Sequence, residues 1–233
     1  MNANPWIRRA LMTACGCAAL AGAAWSLDVA ALSNRDASQG LKQALTQGVD
    51  VAIAKLGVTD GFLKNPSVKI PLPPALAKAN RVLSMFGMGR ETDALVVAMN
   101  RAAEAAVPEG KIILKQALKQ MTLTDAKQIL TGGDDAATQY FRRTAYGPLE
   151  KKFEPIVARE TAKAGLAARY DAIAAKGESL GLLKPDQASI EAYVTQRTLD
   201  GLFLVIGQEE RAIRKDPMGQ ASALLKKVFG AVR

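Results

Sequence analysis

The sequence contains no histidine, and its two cysteines, Cys15 and Cys17, both lie within the first 26 residues. These absences close off much chemistry. Without histidine there is no Ser-His-Asp triad, no imidazole metal ligand, and no side chain that titrates near neutrality unaided. Once the first 26 residues are removed, thiol nucleophiles, disulfides and thiolate metal sites are gone as well. Aromatic residues are also scarce, at 5% of the chain, while alanine and leucine are abundant, a balance that favours helices over sheets. The chemistry left is that of carboxylate, lysine, tyrosine, serine and arginine.

The excluded N-terminal stretch has its own character. Arg8 and Arg9 precede an uncharged run from Ala10 to Leu27, with small residues around Ala21–Ala23 and Ser26. A basic start, a short apolar run and an A-x-A-like site predict a cleaved signal peptide over residues 1–26 and a periplasmic location for 27–233. The alternative is an N-terminal membrane anchor facing the periplasm, although a stable span wants about 20 strongly apolar residues. Arg8-Arg9 also allows a twin-arginine signal, and Cys15 after "MTA" allows lipidation; both stay open. The chain carries a formal charge of +9, which loss of Arg8 and Arg9 lowers to +7. A basic surface outside the cytoplasm meets an anionic envelope component, an acidic protein or lipid headgroups, and nucleic acid is not expected.

Past the leader, apolar residues recur at helical spacing. Leu41, Leu45, Val49, Ala52, Ile53 and Leu56 make one face ending at Gly57. Pro66, Pro71, Pro73 and Pro74 interrupt the pattern, and "SVKIPLP" predicts one short extended segment or hairpin near 67–73. Leu95, Met99, Ala102 and Ala106 define a further helix, with Asn100, Arg101 and Glu104 read as its polar side. "GMGRETD" at 87–93 has a Gly-x-Gly but no strand before it, so it is read as a turn rather than a dinucleotide loop. Thr124 is the expected cap of a helix near 125–131. Gly147-Pro148 is expected to begin a new helix and Pro155 to kink or break it. The run Leu199–Gly207 is apolar on nearly all sides, yet too short for a bilayer. It predicts a central buried helix near 186–215. The fold expected is all-α, a single bundle of about eight helices, closed by a basic amphipathic segment bearing Leu224, Leu225, Val228 and Phe229. That last segment suits either a core-closing helix or peripheral membrane contact.

The densest group of polar side chains is "ILTGGDDAATQYFRRTAYGPL" at 129–149. As a joint between two helices it explains itself: Gly132 in a left-handed turn, Asp134 or Asp135 as helix cap, Tyr140 and Phe141 inward, Arg142 and Arg143 outward. As a ligand or partner site its candidates are Asp134, Asp135, Tyr140, Arg142 and Arg143. Adjacent helical residues diverge by about 100°, so Asp134 and Asp135 alone make a poor acid–base pair. No metal or cofactor is implied. The function class expected is a non-catalytic binding or interaction module with a basic surface. The alternatives are a carrier of a hydrophobic ligand and a carboxylate-dependent hydrolase of an envelope polymer, drawing on Asp134, Asp135, Glu104 and Glu109 with Tyr140 and Arg142.

Taken together, "SQGLKQALTQGVDVAIAKLG", "DGFLKNPSVKIPLP", "MNRAAEAAVPEG", "ILTGGDDAATQYFRR", "YVTQRTLDGLFLVIGQEERAIRKDP" and "GQASALLKKVFG" resemble, in order, a family of exported bacterial proteins, domain of unknown function 4197. The resemblance implies a mostly helical exported domain of bacterial origin and carries no catalytic residues to transfer.

Overall fold

Apolar faces spaced three and four residues apart can be hidden only against one another, and the chain does this with helices alone. The computed structural model describes residues 34–180 and 189–215; the signal peptide expected at 1–26 and the amphipathic segment around Leu224–Phe229 lie outside them. Eight α-helices occur among the described residues: α1 (Asn34–Leu56), α2 (Pro74–Met85), α3 (Gly89–Ala106), α4 (Gly110–Gln120), α5 (Leu123–Thr131), α6 (Ala136–Lys163), α7 (Leu166–Ser179) and α8 (Ile190–Lys215). A 3-10 turn, Val107–Glu109, joins α3 to α4, so Pro108 sits at the junction where its missing N–H does no harm. The all-α expectation holds, and no strand forms among the described residues.

Helix α8 is the axis of the bundle. Leu199, Leu202, Phe203, Val205 and Ile206 are buried, and α8 packs against α6, α1 and α3. Each fully buried side chain of this size contributes about 1.5–3 kcal/mol, which is why an element with charged ends holds the middle. The run is not buried all round, however, since Leu204 faces outward.

The proline-rich stretch after α1 forms turns and extended coil, and no hairpin. Val68, Ile70 and Leu72 are buried while Ser67, Lys69 and Pro71 are exposed, the alternation of an extended chain. At its centre one side chain takes the place of a partner strand. The Ile70 N–H donates to Asn100 Oδ1 at 2.8 Å, and Asn100 Nδ2 donates to the Ile70 carbonyl at 2.9 Å. Nearby, Glu104 Oε1 accepts from the N–H groups of Phe62 and Leu63 at 3.0 and 3.1 Å. Asn100 and Glu104 are therefore buried, contrary to their expected place on a polar side. They are there because a non-regular segment laid on the core leaves backbone groups that need partners.

Two further expectations are corrected. The cap of α5 is Thr122, which forms a capping box with Asp125, rather than Thr124. Helix α6 runs unbroken through both Pro148 and Pro155. Both prolines sit on its wet side, so the carbonyls they free face water, while Phe141, Ala145, Leu149, Phe153 and Val157 keep one continuous buried stripe. Tertiary packing of that stripe outweighs the local preference to break.

Candidate functional site

The 129–149 stretch is the junction of α5 and α6, and the residues that secure it come from elsewhere. Gly132 is extended, with φ −85° and ψ 179°, and not left-handed. Its requirement for glycine is steric: a Cβ there would stand 2.7 Å from the Ala136 Cβ and from the Gln128 carbonyl oxygen. Asp135 occupies the N-cap position of α6 without a capping hydrogen bond, and its carboxylate accepts instead from Gln139 Nε2 at 3.1 Å. Asp134 is exposed beside it. The cap comes from α8. Glu210, 3% exposed, accepts from the Ala137 N–H at 2.9 Å, the Thr138 N–H at 2.8 Å and the Thr138 hydroxyl at 2.8 Å. One turn on, Arg214 donates to Glu210 and to the Ile129 carbonyl at the end of α5, each at 2.9 Å.

The predicted aromatic and cationic residues then separate. Tyr140 is buried, and its hydroxyl donates to the Ala117 carbonyl at 2.7 Å, which ties α6 to α4. Burial, reinforced by the Asp125 carboxylate, raises its phenol above the ordinary range. Arg143 leans over the Tyr140 ring at 5.6 Å and reaches Asp125 at 3.3 Å. Asp125 in turn is held below the usual carboxylate range by the Thr122 hydroxyl and backbone N–H, with Arg143 adding to the effect. Asp135, Tyr140 and Arg143 are thus accounted for by the junction, while Asp134 is exposed at its edge.

Arg142 points another way and meets residues from two distant segments. Its guanidinium lies 4.8 Å from the centre of the Phe203 ring, whose other neighbour is the stacked ring of Tyr146. Arg142 borders an open groove of about 360 Å³ between the extended Ser67–Pro71 segment and the Arg197–Leu204 stretch of α8. Lys69 and Arg197 line the same groove, with Asp200 as its one carboxylate and Val68, Ile70 and Leu204 as apolar floor. Arg197 rests over the Tyr193 ring at 5.4 Å, and the Tyr193 hydroxyl donates to the Pro71 carbonyl at 3.1 Å, so the groove walls are tied together. A guanidinium against a ring face is oriented without its N–H donors being consumed. The Arg142–Asp200 pair is 4.0 Å apart and open to water on both sides, worth about 0–1 kcal/mol.

The carboxylates considered for hydrolysis are dispersed. Glu104 is engaged with Phe62, Leu63 and the Arg101 guanidinium, while Glu109 pairs with Lys152 at 3.2 Å on another surface. Sequence reasoning singled out Arg142 but missed Lys69, Arg197 and Asp200, which stand far from it along the chain. One signal was available: from Gly61 to Arg90 there is no acidic residue at all, against Lys64, Lys69, Lys78, Arg81 and Arg90. Among the described residues no group of three acidic side chains is placed to hold a metal ion, and no helix is long and apolar enough to cross a membrane.

The chain belongs to the family described as Protein of unknown function (DUF4197), whose model matches residues 31–230. No curated protein and no solved structure matches it.

Proposed function

We propose that this member of the DUF4197 family is a non-catalytic binding module of the bacterial periplasm, exported by cleavage after about residue 26, and that it takes an anionic partner in the groove between Lys69, Arg142 and Arg197. The observation that carries the reading is the pair of ring-supported arginines. Arg142 on Phe203 and Arg197 on Tyr193 present ring-oriented guanidinium groups at one groove, with a lysine beside them and a single carboxylate for balance. Planar two-pronged donors of this kind match carboxylate and phosphate oxygens. The carboxylates that general acid–base work would require are engaged in hydrogen bonds or scattered on the surface, which supports binding over turnover.

Calorimetric titration of the protein with inorganic pyrophosphate and with an oligoglutamate tests the reading. Arg142→Ala combined with Arg197→Ala lowers affinity for the better of the two by at least about tenfold, the loss of two charge-assisted, two-pronged contacts. Asp134→Ala with Asp135→Ala leaves it unchanged. Equal binding by the arginine variant, or release of product from an envelope polymer by the purified protein, removes the proposal.

A further inference from the structure

The turn between α2 and α3 exposes two large apolar side chains that are left largely uncovered by the described residues. Met85 is 82% exposed and Phe86 55% exposed, at the very end of α2. Gly87, at φ +84°, turns the chain there, and a Cβ on it would touch nothing within 4 Å. The turn is therefore open to solvent on its outer side, where a side chain has no protein neighbour.

The charge around this tip is mainly basic, although α7 also exposes Asp171. Lys78, Arg81 and Met85 follow one another at helical spacing on the exposed side of α2, so two cations run in file up to the apolar end. Arg90 is exposed just beyond the turn, and the Lys176 ammonium, from α7, lies 5.5 Å from the Phe86 ring centre. The first acidic residues after the tip are Glu91, half-buried, and Asp93, exposed on α3; the nearest before it is Asp60. An apolar pair projecting from a cationic collar matches the boundary of an anionic bilayer, where the apolar side chains enter the acyl region and the cations meet the headgroups. A folded protein partner would equally cover apolar area, but Lys78 and Arg81 on α2, Arg90 on α3 and Lys176 on α7 converge on the tip from three helices, which favours a surface that is negative over a wide area rather than at one point.

We infer that the Met85–Phe86 tip is a membrane-contacting wedge that seats the protein on an anionic lipid surface. This surface is separate from the Arg142–Arg197 groove and does not depend on it. The contact is peripheral and shallow: two side chains enter, and the flanking lysines and arginines hold the orientation.

The test is co-sedimentation of the protein with vesicles of phosphatidylglycerol and phosphatidylethanolamine, against vesicles of phosphatidylcholine alone. The wild type binds the anionic vesicles, and binding falls steeply between 0.1 and 0.5 M salt, roughly the range over which screening shortens from about 10 Å towards a few ångströms. Met85→Ser with Phe86→Ser lowers vesicle affinity by at least about tenfold, with helix content by circular dichroism unchanged because neither side chain is buried. Arg142→Ala with Arg197→Ala leaves it as it was. In a second measurement on the mature protein, residues 27–233, Phe86→Trp supplies the sole tryptophan of that sequence, and bromine-labelled lipid quenches its fluorescence. Vesicle binding unaffected by the serine pair, or a Trp at position 86 that brominated lipid does not quench in the bound state, overturns the inference. So does equal binding to phosphatidylcholine.

Discussion

Glu210 and Arg214 stand one turn apart on α8, 2.9 Å from each other, and between them they terminate two other helices. The carboxylate caps the start of α6, and the guanidinium donates to the Ile129 carbonyl in the last turn of α5. Glu210→Ala leaves two buried N–H groups and a partly buried cation unpaired, and is expected to cost about 3–5 kcal/mol. Glu210→Gln keeps an acceptor and costs about 1–3 kcal/mol. Asp135→Ala, at the formal cap position, changes stability by less than about 0.5 kcal/mol. Urea denaturation of the three variants measures the order. A larger loss for Asp135→Ala than for Glu210→Ala would show that the cap is local after all.

Asn100→Leu keeps the volume and removes both hydrogen bonds to Ile70. Two buried backbone groups lose their partners, so about 2–4 kcal/mol is lost. The effect is also local: hydrogen exchange at the Ile70 amide rises by at least about tenfold, while amides in the middle of α8 change only as much as global stability does.

Two helical glycines predict opposite signs. At Gly48, inside α1, a Cβ would lie 3.4 Å from the Ile213 Cδ1 and 3.6 Å from the Glu209 Cβ, ordinary contact, so Gly48→Ala stabilises by about 0.5–1 kcal/mol through helix propensity. At Gly201 a Cβ would lie 2.8 Å from the Phe62 ring and 3.2 Å from the Val68 Cβ, so Gly201→Ala pushes the 62–68 segment off α8 and costs about 1–3 kcal/mol. Thermal melts of the two variants should move in opposite directions.

Acid should unfold the protein, and base should not do so near neutrality. Asp60 is held below the usual carboxylate range by hydrogen bonds from Lys64 and Arg101, Asp125 by Thr122, and Glu160 by Lys163 and Arg159. A lowered folded-state pKa means stability that is complete above the unfolded value of about 4 and lost as pH falls through the folded one. With no histidine in the chain, stability is expected to be flat from about pH 5 to 8, and to decline only below that. Denaturation midpoints followed across this range test it; a step near pH 6.5 would contradict the account.

The helices were legible because their apolar residues repeat at short range. Leu41 through Leu56 and Leu199 through Gly207 need only their own neighbours in sequence to be read. What escaped was long-range satisfaction of polar groups. Asn100 pairs with a residue 30 positions away, Glu104 with residues 41 and 42 away, and Glu210 with residues 72 and 73 away. No local spacing encodes such partners. Their one trace is a polar residue standing on or beside an apolar stripe, as Glu210 does between Ile206 and Ile213. Pro148 and Pro155 misled for the complementary reason. They obey a local rule that a continuous buried face overrides. The junction at 129–138 was readable as a junction, but its fastening was credited to neighbouring aspartates when it comes from α8. The groove was half visible: Arg142 stood out in a dense cluster, whereas Lys69 and Arg197 become its neighbours only once the chain is folded.

The Glu210–Arg214 fastening also fixes an order of events. A chain made from its amino end carries α5 and α6 before either fastening residue exists, so the first N–H groups of α6 wait for α8 to bring their carboxylate. A fragment that stops short of α8 lacks this clasp and begins α6 on bare donors.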